Sequence, residues 1–284
     1  MDCFVRKLKT VINDDSLPVL ETMQQFTLDA IALSGNNGMT DSQKNVLNHF
    51  FYEVGAIENN ALWGKMKCIL LPMICGDVVA KSMVDYKNGV TISPSNASNL
   101  SFDTHHGLIA TGYNSTNVIN GTFNGSNFNI TMINVEMAGG IPVSGGTTNC
   151  IMVDSGDSSD RTLMNVTLVN TDLTFGVLGL LNPMSTNAFS GSNVYDVAAI
   201  TSKATSGNIR AISSQNDVVL HGDANEAQIT ARGTEKTYTN AIMRFGVTAN
   251  VRSYGAVIVS EALTDDELAK VMDAAKVLKL AFVA

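Results

Sequence analysis

The fold is decided by the last part of the chain, residues 255–282, which read GAVIVSEALTDDELAKVMDAAKVLKLAF. The first six of these residues are almost all apolar, which is typical of a central β-strand covered on both faces. Thr264 and Glu267 then have the spacing of a capping box, in which each side chain satisfies a free backbone amide at a helix start. Apolar residues recur at three- and four-residue intervals from Leu268 to Phe282. This ending predicts a buried strand followed by one docked helix.

The middle of the chain, from about residue 87 to residue 260, follows a period of two. Phe128 and Ile130 alternate with Asn129 and Thr131, as expected along a strand. Asn-Gly and Gly-Gly steps such as Asn120-Gly121 are frequent, which is typical of the hairpins of a β-sandwich. No helix of useful length fits between these steps, so the alternating strand and helix order of a doubly wound fold is excluded. We predict a mainly β fold.

The beginning of the chain has helical spacing instead. Val46, Phe50 and Val54 lie on one face of a predicted helix, which Thr40 and Gln43 open as a second capping box. This pattern predicts a helix from about residue 41 to residue 54.

Two shorter stretches also predict helices. The segment from Pro18 to Leu33 has proline near its first turn and a glycine-asparagine run behind it. The stretch from Trp63 to Leu70 suggests a short amphipathic piece that Pro72 stops. We therefore predict that residues 1–84 form a helical segment for anchoring or assembly, and that residues 85–284 form the sandwich with its terminal helix.

Composition excludes several classes of protein. Charged residues make up 15% of the 284 residues, against about 25% in ordinary soluble proteins. A formal net charge of −8 argues against a nucleic-acid partner, because such proteins concentrate Lys and Arg to neutralise phosphates. No stretch approaches the roughly 20 apolar residues that span a bilayer, so we expect no membrane insertion.

The termini and cysteines bear on the compartment. The first ten residues carry charges and lack the apolar region of a secretory signal, so we expect synthesis in the cytoplasm. Cys3, Cys68, Cys75 and Cys150 show neither a C-x-x-C pair nor a dense framework. We expect reduced thiols.

Two segments resemble phage and prophage virion proteins that carry a concanavalin-like, laminin-G-like jelly roll. Residues 62–77, LWGKMKCILLPMICGD, are similar to the segment through which the chain of that family enters the sandwich. Residues 255–282 are similar to its final core strand and capped helix. The two segments enclose about residues 40–284. Residues 110–240 between them share only the general residue pattern of the family, and residues 1–35 lie outside the resemblance.

The resemblance implies a concanavalin-like jelly-roll β-sandwich with an N-terminal helical segment and a C-terminal helix. It implies a bacteriophage structural protein in the virion, such as a head fibre, a capsid decoration protein or a tail component, without enzyme activity. Its expected partners are other capsid or tail proteins and further copies of the chain, with a trimer favoured. The alternative is a lectin-like phage adhesin that recognises a host surface glycan. Residues 1–35 are the candidate attachment point.

A loop with three carboxylates is a candidate calcium site. Asp154, Asp157 and Asp160 stand among small residues, and calcium prefers side-chain oxygens of this kind. The loop lacks the glycine position and the closing Glu of an EF-hand. We favour a solvated hairpin loop over a metal site, and we expect no cofactor.

Histidines and one acid are the other candidates for chemistry. His105 and His106 could bind a metal or transfer protons, but adjacent residues on a strand point to opposite faces, which favours a structural role. His49 is expected to pack on its helix, and His221 to lie in a turn. Glu136 is alone in its strand without a partner carboxylate, so we expect it to face solvent rather than to act in glycoside hydrolysis.

Aromatic residues near turns are candidates for sugar binding. Tyr113 with Asn114, and Tyr195 with Asn193 and Asp196, have the residue types of a lectin loop. Scattered aromatics are common in any sandwich, which favours the structural interpretation. Trp63 has apolar neighbours and is expected to anchor the core at the junction of helix and sandwich.

Overall fold

A computed structural model of the protein places helices at the two ends of the described chain and antiparallel strands between them. The structure describes residues 23–92, 94–111, 114–124, 131–139, 147–155, 162–169, 172–177, 197–202, 209–215, 218–223, 237–245, 251–261 and 263–283. The helices are α1 (Gln25–Ser34), α2 (Asp41–Glu53), α3 (Ala61–Lys65) and α4 (Asp265–Phe282). The strands are β1 (Met66–Leu70), β2 (Val84–Asp85), β3 (Val90–Thr91), β4 (Leu100–Phe102), β5 (Leu108–Ala110), β6 (Asn114–Asn124), β7 (Thr131–Gly139), β8 (Thr147–Ser155), β9 (Thr162–Val169), β10 (Asp172–Val177), β11 (Val197–Ser202), β12 (Ile209–Gln215), β13 (Val218–Asp223), β14 (Thr237–Phe245) and β15 (Val251–Val259).

The described strands form two antiparallel sheets. Sheet A has the order β13-β12-β11-β7-β15-β1-β2-β3, and β5 joins it by pairing with both β15 and β4. Sheet B has the order β10-β9-β8-β14-β6. The prediction of a mainly β sandwich with helices toward its two ends is confirmed.

The centre of sheet A is β15, which lies between β7 and β1. Val257 is opposite Ile133 on one side and Ile69 on the other. All residues from 254 to 259 are buried, because helices cover one face of the strand and the interior of the sandwich covers the other. The predicted central strand is confirmed, and so is the helix that follows it.

Helices α1, α2 and α4 cover the outer face of sheet A. The chain folds this way because the apolar stripe of α4 and the branched side chains of β7, β11 and β15 bury each other. Completely buried side chains of this shared core are Leu47, Phe50, Phe51, Val54, Ile69, Ile74, Val84, Ile133, Val135, Val197, Ala199, Val257, Val259, Val271, Ala275 and Leu278.

Both predicted capping boxes are present. The hydroxyl of Thr40 accepts a hydrogen bond from the amide of Gln43, and the Gln43 side chain accepts one from the amide of Thr40. Thr264 and Glu267 make the same reciprocal pair at the start of α4. Gly35 ends α1 in the left-handed conformation, with φ of 69°.

Three local predictions are wrong. Residues 66–70 form β1 rather than part of a helix, because they pair with β15 and are buried along nearly their whole length. Asn120 and Gly121 lie inside β6, where the register with β14 shifts, and not in a hairpin turn. His221 lies in β13 opposite Ile212 rather than in a turn.

The division at residue 84 stays a prediction. β1 lies on the N-terminal side of that boundary and is nonetheless paired in the middle of sheet A. Residues 1–22, which include the start of the helix predicted from Pro18, lie outside the described residues, as do Phe128 and Ile130.

Candidate functional site

Strained backbone is concentrated at one end of sheet A. Among the described residues, four that are not glycine have a positive φ: Asn59 at 49°, Asp77 at 65°, His106 at 62° and Glu136 at 27°. Side chains with a Cβ rarely adopt this conformation, and it persists where surrounding contacts hold it, often at functional sites. Three of the four belong to a network of ion pairs and hydrogen bonds, which we therefore take as the candidate site.

The network is organised by Asp103, in the turn between β4 and β5. Its Oδ1 atom accepts hydrogen bonds from the amides of His105 at 2.9 Å and Gly107 at 2.8 Å. Its Oδ2 atom accepts one from Nη1 of Arg252 at 2.8 Å. One carboxylate thus fixes the turn and ties it to β15.

A second turn is joined to the first at the surface. Nδ1 of His106 lies 2.7 Å from Oδ1 of Asp77, and both side chains are nearly half exposed. Asp77 follows Gly76, whose φ is 57°, and a Cβ at Gly76 would lie 2.9 Å from the Asn36 side chain. Asn36 in turn donates to the carbonyl of Ile74 at 3.1 Å. The loop after α1 therefore holds this turn in place.

The network continues inward to the terminal helix. Nη2 of Arg252 is 3.6 Å from Oε1 of Glu136, and Oε2 of Glu136 is paired with Nζ of Lys279 in the last turn of α4. The Glu136 side chain is only 6% exposed. Acidic and basic groups alternate from the surface to the interior, and we call this series the ion-pair chain: Asp77, His106, Asp103, Arg252, Glu136 and Lys279. Its outer pair is joined to the rest by a backbone hydrogen bond, in which the amide of His106 donates to the carbonyl of Asp103 at 3.2 Å.

The surroundings keep the middle of the ion-pair chain charged. Burial alone would raise the pKa of Asp103, but the hydrogen bonds from Arg252, Gly107 and His105 outweigh it and lower that pKa. Burial likewise opposes the charge of Arg252, and the bond to Asp103 outweighs it and raises the pKa of the guanidinium. The Tyr254 ring lies 5.6 Å from the guanidinium, and burial raises its pKa to about 12.

The surface end of this network offers hydrogen-bonding groups to a ligand. We call this end the rim and define it as Asp77, Asp103, Thr104, His105 and His106. Thr104 and His105 are exposed in the turn, while Asp103 holds their backbone. The rim can accept and donate hydrogen bonds from a backbone that is already fixed.

Two interpretations of single residues are corrected here. His105 and His106 lie in a turn, not on opposite faces of a strand, because Asp103 closes the backbone around them. Glu136 does not face solvent without a partner; it is buried and paired with Arg252 and Lys279.

Trp63 anchors the core, as predicted. The side chain is 6% exposed, and its ring packs edge-on against Phe26 with centroids 5.2 Å apart. Lys87 covers the ring, with Nζ 3.8 Å from its centroid, and donates to the Trp63 carbonyl at 2.7 Å. His49 packs on α2, partly buried beside Glu53.

The predicted calcium loop is only partly described. Asp154 lies in β8, opposite Thr162 of β9, so the two strands frame the loop as a hairpin. Asp157 and Asp160 lie outside the described residues, and so do Tyr113, Asn193, Tyr195 and Asp196. Within the part of the chain that is described, no group of three or more His, Cys, Asp or Glu side chains could hold a metal ion. Cys68 and Cys75 are buried and free.

Sequence reasoning missed Asp77, Arg252 and Lys279. The Gly76-Asp77 pair does have the composition of a turn. The partners in the ion-pair chain are far apart in sequence, as with Asp103 and Arg252, which are 149 residues apart. No local pattern predicts such a contact.

The chain was compared with known proteins. No protein-family model matches it, and no curated protein sequence matches it. Solved structures do match. The binding domain of botulinum neurotoxin serotype D superposes with a TM-score of 0.50 at 10% identity, covering 74% of this chain and 51% of the other. The ligand-binding domain of the same toxin, in complex with N-acetylneuraminic acid, gives 0.50 at 11% identity with the same coverage. The shared property is the fold.

A weaker match is the Trypanosoma rangeli sialidase, with a TM-score of 0.49 at 13% identity, covering 74% of this chain and 32% of that one. The coverage of the toxin domains means that this chain spans about half of their length.

Among the described helices, none is both long and apolar enough to cross a membrane.

Proposed function

We propose that this chain is a non-catalytic attachment module that recognises a glycan on a host surface through the rim. The observation that carries the proposal is the rim itself, in which two strained turns are held together by Asp103 and by the pair of Asp77 with His106. Sugar recognition relies on hydrogen bonds to hydroxyl groups, and a fixed backbone lowers the entropy cost of binding. The fold shared with a ligand-binding domain captured with N-acetylneuraminic acid supports the same function.

The burial of the inner groups favours binding over catalysis. Tyr254 is 1% exposed and Glu136 is 4% exposed, so neither reaches the solvent side where a substrate would lie. Their contacts hold the turns and the terminal helix together instead. We assign them a structural role behind the rim.

We further propose that the module belongs to a bacteriophage particle. The two segments whose sequences resemble phage virion proteins are in direct contact: Met66 pairs with Val259, and Lys65 binds the carboxylate of Glu267 at 2.6 and 2.8 Å. A motif split between two distant parts of the chain thus forms one structural unit. Capsid or tail proteins would be its partners, and further copies of the chain would assemble with it.

A glycan array tests the binding proposal. We expect the purified protein to bind a restricted set of oligosaccharides, and the exposed rim variants Thr104→Ala and His105→Ala to lose at least tenfold in affinity. Glu58→Gln, an exposed change in another turn, is the matched control and should bind as the wild type does. Equal binding by the rim variants would contradict the assigned site, and the absence of any bound glycan would contradict the function.

Mass photometry tests the assembly proposal. A virion fibre or decoration protein is expected to form a closed symmetric oligomer, and a trimer is the expected species. A stable monomer at micromolar concentration would contradict the fibre version. It would leave the glycan measurement as an independent test of attachment.

A further inference from the structure

The basic side chains of the ion-pair chain already have carboxylate partners. Nη1 of Arg252 is bound by Asp103 at 2.8 Å, and Nη2 faces Glu136. Lys279 is paired with Glu136, and His106 with Asp77. An arginine fork is a common means of recognising a carboxylate, because it offers two parallel N–H groups together with a positive charge. Within the ion-pair chain, every such group already has a carboxylate partner.

The one remaining donor of the arginine cannot reach a ligand. Nε of Arg252 has no hydrogen-bond partner, but it is fully buried beneath the turn. A Cβ placed at Gly107 would lie 2.4 Å from Cγ of Arg252, which shows how closely the turn covers the side chain. A sugar at the surface would therefore meet the turn and not the guanidinium fork.

The charge balance also disfavours an anion. The ion-pair chain holds three carboxylates, those of Asp77, Asp103 and Glu136, against the two permanent cations Arg252 and Lys279. Its most exposed acid, Asp77, has a side chain that is 47% exposed. The protein as a whole has a formal net charge of −8. An acidic sugar would approach a surface of its own sign.

We infer that the rim selects neutral, hydroxyl-rich glycans and rejects glycans that carry a carboxylate. This inference rests on the proposed function and narrows its ligand class. It separates this chain from the toxin domain that was captured with N-acetylneuraminic acid, although the two share a fold. The carboxylate of Asp77, the hydroxyl of Thr104 and the imidazole of His105 are the groups that face hydroxyls of the sugar.

The test is an array of matched pairs, in which each neutral oligosaccharide stands beside the same structure extended by sialic acid or a uronic acid. We expect the wild type to bind neutral members at least tenfold better than their acidic counterparts. Asp77→Asn removes one negative charge and releases His106, so this variant should gain affinity for the acidic members and reduce the preference. Glu58→Gln removes a negative charge from the turn after α2, outside the rim, and should leave the preference unchanged.

Three outcomes have distinct meanings. A preference of the wild type for acidic members would overturn the inference and leave glycan binding standing. An unchanged preference in Asp77→Asn, with thermal melting unaltered, would overturn the assignment of the preference to the rim. Binding to no member at all would overturn the proposed function, and the inference with it.

Discussion

The outer face of sheet A is buried in two different ways along its length. Over most of the face, α2 and α4 cover the sheet with apolar side chains, and Phe51 and Leu278 are two members of this core. The packing of apolar side chains requires no particular direction of contact. At one end the same layer contains the pair of Glu136 and Lys279, whose charges must each meet a partner once they leave water. The comparison teaches that one helix can both stabilise the fold and hold the back of a polar surface.

The largest effect on stability is expected from a substitution in the apolar part of this layer. Phe51 is completely buried, and its ring packs against Phe26 and Phe50 with centroids 4.9 and 5.4 Å away. Phe51→Ala should lower the free energy of unfolding by about 3–5 kcal/mol, because it removes a buried ring and leaves a cavity. Urea denaturation measures the change. Tyr52→Ala, at the exposed next position, should change stability little, and a similar loss in both variants would contradict this account.

Removing one partner of the buried ion pair should have the next largest effect on stability. Glu136→Gln removes the carboxylate that pairs with the buried ammonium of Lys279, and breaking a buried ion pair on one side costs about 3 kcal/mol. The double variant Glu136→Gln, Lys279→Met should recover much of this loss, since it removes both charges. Thermal and urea unfolding of the single and double variants give the coupling energy.

The exposed pair of Asp41 and Lys44, at 2.9 Å, is the control for this comparison. Lys44→Gln should leave stability unchanged within error, because water screens exposed pairs. If the double variant at Glu136 and Lys279 proved as unstable as the single one, the pair would not be the source of the effect.

A smaller effect of opposite sign is expected on the inner face of sheet A. Asn134 lies between Ala198 and Ala256 on the neighbouring strands, is completely buried, and has no hydrogen-bond partner for either amide atom. Asn134→Leu should raise the free energy of unfolding by about 1 kcal/mol, because it removes an unsatisfied polar group of similar size. Differential scanning calorimetry would detect the higher melting temperature.

Asn48 provides the matched control. Its Oδ1 atom accepts hydrogen bonds from the Thr27 hydroxyl at 2.6 Å and from the amide of Gln24 at 3.2 Å. Asn48→Leu should therefore destabilise the protein, since it leaves the Thr27 hydroxyl buried and unpaired. Stabilisation by both substitutions would show that hydrogen bonding does not distinguish the two sites.

The smallest expected effect is a spectroscopic one. Burial is the main cause that lowers the pKa of Lys87 to about 8, and its ammonium covers the only tryptophan of the chain. The fluorescence of Trp63 should change with a midpoint near pH 8 as Lys87 loses its proton. Because the folded pKa lies below the unfolded value of 10.5, the unfolded chain binds more protons between about pH 8 and pH 10.5, and stability should rise with pH in that window. Lys87→Met should abolish the fluorescence transition; its persistence would assign the transition to another group.

Sequence patterns predicted the parts of this fold that depend on neighbouring residues. The two capping boxes each involve residues three positions apart, and both are present at Thr40 and Thr264. The apolar run from 255 to 260 correctly indicated a central strand. The amphipathic spacing from Trp63 to Leu70 predicts a helix, but residues 66–70 are almost all apolar, and such a short run fits a buried strand equally well.

The candidate site could not be predicted in the same way. Asp77 and His106 are 29 residues apart, and Asp103 and Arg252 are 149 apart, so no spacing rule connects them. Glu136 looked solitary because its two partners come from β15 and α4. Its positive φ is a property of the folded chain, and no local residue pattern indicates it.

The short strands at one edge of sheet A affect how readily neighbouring molecules of this protein could aggregate through that edge. β2 and β3 contain two residues each, and Val90 and Thr91 of β3 are exposed. So short an edge presents too few free amides to recruit a strand from a neighbouring molecule. A protein displayed at high local density on a particle would gain protection from sheet-to-sheet aggregation on this side. Crowded copies would then not pair through this edge of sheet A.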